Sequence, residues 1–314
     1  MSDVESGAAP RMKTAGLRKR KAAWPIAVDQ RRTGILFVVV PMLLFLIFAI
    51  GPTFFATYLS LTRFKFTKPP TWIGLTNFEI LWDDMVFKTA LRNTVVYAAG
   101  VVPASMVLSL FIALLLNQKI RGIVVFRTAH YLPVITSTVA SAVVWKWIFT
   151  PDVGILNYIL GSVGIPRIRW LVDTRTALLS VMLMSVWGSL GYRMIIWLAA
   201  LQDIPAHLYE SAEMDGAGTW RKFWSITLPL LKPATFLIFV TAVIGSFQVF
   251  GSVFVMTQGG PGYATTTMVH QIYLNAFTYL KMGYGAAEAF VLFVIIFALS
   301  MINWFYLRSD VEYW

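Results

Sequence analysis

Six runs of mostly apolar residues, at 35–61, 93–116, 130–150, 177–201, 233–257 and 287–307, set the terms on which this chain can fold. Each is about 20 residues or longer, enough to cross a hydrocarbon layer roughly 30 Å thick as an α-helix. Inside such a layer no water bonds a free N–H or C=O, so a spanning segment must satisfy its own backbone. The predicted fold class is therefore an all-α integral membrane protein with six transmembrane helices. Composition agrees: 58% of the 314 residues are hydrophobic and 13% charged, where soluble domains carry about a quarter charged. The third run holds Lys146 between Trp145 and Trp147, a pattern that fits a span end with the lysine reaching toward headgroups. Pro41, Pro52, Pro103 and Pro133 read as kinks within spans.

Lys and Arg placement orients the chain. Residues 1–34 form a basic tail with Arg11, Lys13, Arg18, Lys19, Arg20, Lys21, Arg31 and Arg32. With that tail inside, the inner segments hold 15 Lys and Arg and the outer ones 9, so both termini are expected in the cytoplasm. The run Ile35–Leu61 exceeds a signal-peptide core of about 7–15 residues and lacks a small-x-small cleavage site, so it is expected to stay as the first helix. The expected organisation is the tail at 1–34, the first helix and outer loop at 35–92, a core of five helices at 93–307 and a short tail at 308–314. The outer loops at 62–92, 151–176 and 258–286 have room for short interfacial helices. The net charge of +11 is read as a topology determinant near anionic lipid, not a nucleic-acid surface. The absence of Cys excludes disulfides and thiolate chemistry, and His130, His207 and His270 show no metal-ligand spacing.

Residues 204–233 interrupt this pattern as a polar island on the cytoplasmic side. Pro205 suits the first turn of a helix. Leu208, Tyr209 and Ala212 share one face, while Glu210, Glu213 and Asp215 occupy the rest. Gly216 is placed to end that helix in the left-handed conformation. Thr219 is expected to cap a second short helix with a Trp220, Phe223, Trp224 stripe, and Pro229 and Pro233 close the unit. A helical hairpin of this kind is either packed on lipid or docked to a partner protein. Its acidic first helix favours the partner, because anionic headgroups repel it.

Glu210-Ser-Ala, Gly216 and Ile226-Thr-Leu-Pro stand in an order that resembles the EAA signature of membrane subunits of binding-protein-dependent ABC importers. Arg127-Thr-Ala-His-Tyr-Leu-Pro, Trp145-Lys-Trp-Ile-Phe, Gly259-Gly-Pro-Gly-Tyr-Ala-Thr-Thr-Thr and Met282-Gly-Tyr-Gly-Ala-Ala resemble the carbohydrate-transporting branch, which includes the maltose and glycerol-phosphate systems. Ser211 stands where the signature prefers Ala, a change between two small residues. The resemblance implies a type I importer permease fold with a cytoplasmic coupling helix in the segment 204–230. Leu208, Tyr209, Glu210, Ala212, Asp215 and Gly216 would meet a cytoplasmic ATPase dimer there. It also implies a homologous second permease subunit, an extracytoplasmic solute-binding protein and a bacterial or archaeal cell membrane. No phosphate-binding Gly-x-x-x-x-Gly-Lys-Ser/Thr occurs in the chain, so no cofactor is expected on it, and ATP and Mg belong to the partner.

Polar groups within spans are candidates for the path. On the fourth span Ser185, Ser189 and Tyr192 follow one face beside Trp187, Gly188 and Gly191; the fifth carries Thr241, Ser246 and Gln248 between aromatics. Hydroxyls and amides beside rings suit a sugar or polyol, although such residues also serve helix packing. The resemblance adds weight to Tyr192, Ser189 and Gln248, and Ser137 and Thr138 are further candidates. Arg193 is the full charge deep in a span. It reads either as the partner of an anionic substrate such as a phosphorylated polyol or, preferred, as bound to a helix end or carbonyl. Glu288 is expected at the outer interface and Asp83-Asp84 in solvated loop. A secondary transporter would need mid-membrane ionisable groups for ion coupling, and a membrane enzyme clustered His, Asp or Glu. Only Arg193 meets the first requirement, and no such cluster meets the second.

Overall fold

The computed structural model describes residues 30–65, 67–118 and 121–307; most of the basic tail, and Lys119 and Arg308, lie outside them. The chain divides into two compact units, 1–53 and 54–314. In the first, α1 (Gln30–Phe45) passes through a π-turn at Leu46–Ile50 into α2 (Gly51–Ser60). Pro52 supplies no N–H to the helix, and the chain meets it with a long i→i−5 bond from the Gly51 N–H to the Leu46 carbonyl. Gly34–Ser60 is apolar and long enough to span a membrane.

The second unit takes in the rest of α2 from Phe54 and then an antiparallel hairpin, β1 (Thr62–Lys65) and β2 (Lys68–Trp72), that the sequence reading did not anticipate. It is pinned to α3 (Thr76–Asp83), whose Asn77 amide donates to the Ser60 and Thr62 carbonyls at 2.8 and 2.9 Å. Then α4 (Met85–Leu116) starts eight residues before the expected 93. Asp84 is the reason. It caps the helix by accepting from the Val86 and Phe87 N–H groups, and its second oxygen accepts from the Tyr284 hydroxyl at 2.6 Å. Asp84 is thus a structural clamp, not the solvated loop residue expected, and Lys88 and Arg92 belong to a helix.

The third span is also revised. Instead of one kinked helix over 130–150, α5 (Ile123–Ile135) and α6 (Thr138–Ile148) meet at 101° across extended Thr136 and Ser137. Pro133 leaves a carbonyl of the preceding turn without its usual donor, and the Thr136 hydroxyl bonds back to the Leu132 carbonyl at 3.0 Å, an alternative to continuing the helix. Lys146 falls in the last turn of α6, as a span-end lysine should.

A short α7 (Ile155–Ser162) precedes α8 (Ala177–Gln202), which packs most extensively on α4. Trp197 on α8 donates to the Ser109 hydroxyl of α4 at 3.1 Å. Beyond the island helices α9 (Ala206–Met214), α10 (Thr219–Lys222) and α11 (Leu228–Leu230) comes α12 (Lys232–Phe247), continued after a break by α13 (Gly251–Met256). Finally α14 (Met268–Tyr273) leads to α15 (Met282–Leu307). Glu288 on α15 is fully buried in the protein and accepts from the Asn275 amide at 2.9 Å, a pairing the sequence reading did not anticipate.

Apolar burial forms three clusters. Tyr97, Val101, Phe149, Val181 and Val253 centre one at the end of the bundle near the 151–176 loop. Leu116, Trp197, Leu201, Ile204 and Leu231 centre another, beneath the island. Leu81, Phe87, Phe247, Met268 and Leu292 join α3, α4 and α15.

Candidate functional site: the island hairpin and a hydroxyl-lined recess

The island is a fixed element rather than a loose loop. Gly216 adopts φ +75°, the left-handed conformation that a Cβ disfavours. Its N–H bonds the Glu213 carbonyl and the Ala217 N–H bonds the Ala212 carbonyl, which together satisfy the end of α9. The second helix starts one residue from expectation: Gly218 sits at the cap and Thr219 is the first helical residue, with no side-chain cap bond. From there α10, a π-turn at Phe223–Thr227 and α11 run without a gap.

One side of α9 faces the bundle. Leu208 and Tyr209 pack with Ile226 and Leu230 on the Leu201, Ile204, Leu231 cluster, and the Tyr209 hydroxyl meets that of Thr227 at 2.9 Å. The other side is open. Glu210, Glu213, Met214, Asp215 and Gly216 are exposed, and Lys222 reaches back to Glu213 at 2.6 Å. Ala212 and Asp215 border a recess of about 190 Å³ between the two helices, with Arg221, Lys222 and Ser225 opposite. Trp220, Phe223 and Trp224 form the expected stripe, their rings 5.5–6.0 Å apart.

Two breaks in regular structure and one unbroken helix converge on a second feature. A recess of about 400 Å³ lies where the α5–α6 break, the middle of α8 and the α12–α13 break meet. It gathers Thr138, Ser185, Trp187, Ser189 and Gln248 from three separate spans. It also brings in Thr136, Ser141 and Ser252, which sequence reasoning passed over; the hydroxyl pair that follows Pro133 was the available signal. Ser246 is buried away from the recess, Ser137 does not line it, and Tyr192 stands one turn past Ser189 with 50% of its surface exposed.

The recess has a definite chemistry. The Ser185 and Ser189 hydroxyls each spend their proton on a backbone carbonyl of their own helix, at 2.9 Å. Their lone pairs remain to accept from a ligand O–H. Gln248 is exposed and its amide has no hydrogen-bond partner among the described residues. Trp187, held edge-on to Trp145 at 5.6 Å, and Phe250 add flat apolar surface. A larger groove of about 830 Å³ along α4, α12 and α15, lined by residues such as Val102, Met106, Phe239 and Leu299, contributes only Asn303 as a polar side chain. It has nothing to hold a polyhydroxylated ligand.

Helices of spanning length, a polar recess built at helix breaks and a rigid surface hairpin define a multi-span transport subunit. Residues 105–308 match the family described as binding-protein-dependent transport system inner membrane component, and the chain belongs to that family. It is 36% identical over 290 residues to the probable ABC transporter permease protein YurN of Bacillus subtilis (strain 168), covering 91% of this chain and 99% of that one. It is 34% identical to the sn-glycerol-3-phosphate transport system permease protein UgpA of Agrobacterium fabrum (strain C58 / ATCC 33970), over 88% and 95% of the two chains. Among solved structures it is similar in fold, with a TM-score of 0.76 and 23% identity over 90% of this chain and 98% of that one, to a bacterial ABC transporter involved in the import of the acidic polysaccharide alginate.

Proposed function

We propose that this permease moves an oligosaccharide or related polyol into the cytoplasm by alternating access. A separate ATPase would drive it through the 205–216 helix. The observation that carries the reading is the hairpin. A helix closed at its C-terminal end by Gly216 and packed by Leu208 and Tyr209 on the span bundle passes a push at its exposed acidic side directly to α8 and α12. ATP and Mg sit on the partner in this reading, and Glu210 faces a basic group there. The hairpin lies in the cytoplasm with both termini, as the Lys and Arg bias predicts. A second permease supplies the other half of the path, and an extracytoplasmic binding protein delivers the solute.

The recess supports the substrate class through its acceptor hydroxyls, its amide and its rings, the complement of a sugar ring with O–H edges and apolar faces. Thr138, Ser185, Trp187, Ser189 and Gln248 are the contacts assigned to it. The relatives that transport glycerol phosphate keep a phosphorylated polyol as the second reading.

Co-purification tests the coupling. Tagged wild-type chain, expressed with its companion subunits, should retain the ATPase through detergent extraction. Glu210→Ala should weaken that retention about tenfold or more, the loss expected on truncating an interface anchor, and Gly216→Pro should abolish it. Full retention in both variants would reject the hairpin as the docking element.

A further inference from the structure

One candidate span stops at Ser60, and two others start at Met85 and Met282. Next to these three ends lie β1, Asp84 and Lys281, which together with α3 enclose a pocket of about 390 Å³. Arg63, Lys65, Asp84, Lys281 and Tyr284 line it, with the amides of Asn77 and Asn275. A pocket at the level where spans leave the hydrocarbon lies at the depth of lipid headgroups. Tyr58 on α2, Trp72 on β2 and Trp82 on α3 are exposed, as aromatic side chains are at a membrane–water interface.

The neutral and acidic groups of this pocket are already committed. Asn77 donates to the Ser60 and Thr62 carbonyls, Asn275 to Glu288, and the Tyr284 hydroxyl to Asp84. The other Asp84 oxygen accepts from the Val86 and Phe87 N–H groups. Arg63, Lys65 and Lys281 differ. All three are exposed, and none has an ion-pair or side-chain hydrogen-bond partner among the described residues. The pocket thus presents three free cations beside one satisfied carboxylate. The hairpin register also sets Lys68 directly opposite Lys65. Like charges facing each other across a strand pair destabilise it, and an anion held there would offset that repulsion.

We propose that this pocket binds the phosphate of an anionic membrane phospholipid. The lipid belongs to the leaflet at the opposite end of α4 from the island, which packs near Leu116. Arg63 meets two phosphate oxygens with its planar fork, and Lys65 and Lys281 add point charges. Ile80, exposed in the pocket lining, offers apolar surface to the acyl region. The position at three span ends favours a lipid over a free phosphate.

The test uses the full chain with the subunits that co-purify with it, stripped of lipid in detergent. It is then given phosphatidylglycerol, phosphatidylcholine or inorganic phosphate, one at a time. Bound lipid is read by mass spectrometry and stability by melting temperature. Wild type should retain phosphatidylglycerol in preference to phosphatidylcholine and melt higher with it, and inorganic phosphate should leave its melting temperature unchanged. Lys65→Gln combined with Lys281→Gln should weaken phosphatidylglycerol retention about five- to thirtyfold, the loss of one to two cations at an anionic surface. Lys88→Gln combined with Arg92→Gln removes equal charge near the same end of α4 but outside the pocket, and should retain the lipid as wild type does. Equal retention of the two lipids by wild type overturns the proposal without any variant, and so does equal loss in the two variant pairs. Equal stabilisation by inorganic phosphate makes the pocket a free-anion site and overturns the lipid. Retention unchanged in the Lys65→Gln, Lys281→Gln pair overturns it as well, and a concurrent loss of binding-protein association in that pair would assign the cations to an acidic protein surface.

Discussion

At Gly191 a methyl group would run into the backbone carbonyl of His130, whereas at Gly188, three residues earlier on α8, it would meet nothing within 4 Å. Gly191 therefore lets α5 lie directly against α8, while Gly188 opens space at the recess. In lipid, helices associate through such close contact more than through apolar burial. Gly191→Ala should cost about 1–3 kcal/mol as overpacking against backbone that cannot yield, seen as a melting point several degrees lower in detergent, while Gly188→Ala leaves it within a degree or so. Equal shifts would contradict the packing account. The sequence places both glycines beside the polar face of α8, but no local pattern distinguishes contact from void. Gly216 was more legible, because a glycine after an acidic, apolar-striped turn has a single conformational job. The bonds of Glu288 and Asp84 were hidden for the opposite reason. Their partners, Asn275 and Tyr284, lie 13 and 200 residues away, and local pattern does not carry such pairings.

Among elements, the spans were readable wherever apolar character was continuous, and their ends were not. Asp84 begins α4 inside a stretch still rich in Lys and Arg, and Thr136 and Ser137 split a run that hydropathy presents as one. That split matters, because it supplies Thr136 and Thr138 to the recess. Among the loops, α3, α7 and α14 meet the expectation of short helices, whereas the β1–β2 hairpin escaped notice. Its alternation of Thr62 and Phe64 with Arg63 and Lys65 covers too few residues to stand out. Asn77 is the hairpin's anchor through two buried amide bonds. Asn77→Ala should cost about 1–3 kcal/mol by leaving the Ser60 and Thr62 carbonyls unpaired. Amide exchange across 60–73 should quicken while α8 keeps its protection. Unchanged exchange in the hairpin would assign its order to other contacts.

On the scale of the whole molecule, the described bundle joins two polar features through continuous apolar cores. The island packs on Leu201, Ile204 and Leu231, and α8 runs from there past Trp197 and Arg193 to the serines of the recess. A displacement at the hairpin has a stiff element to act on, because cores of this density shift as units rather than deform. In the proposed function one chain contributes one wall of the path and the second permease supplies the other.

The central claim, that this chain couples substrate movement to hydrolysis by a partner through 205–216, is tested most directly by solute uptake into liposomes holding the full assembly and its binding protein. The account predicts uptake with ATP, none with a non-hydrolysable analogue, and none with ATP when Glu210→Ala and Gly216→Pro are combined in this chain. Uptake by the permeases alone, driven by an ion gradient with no ATPase present, would contradict it.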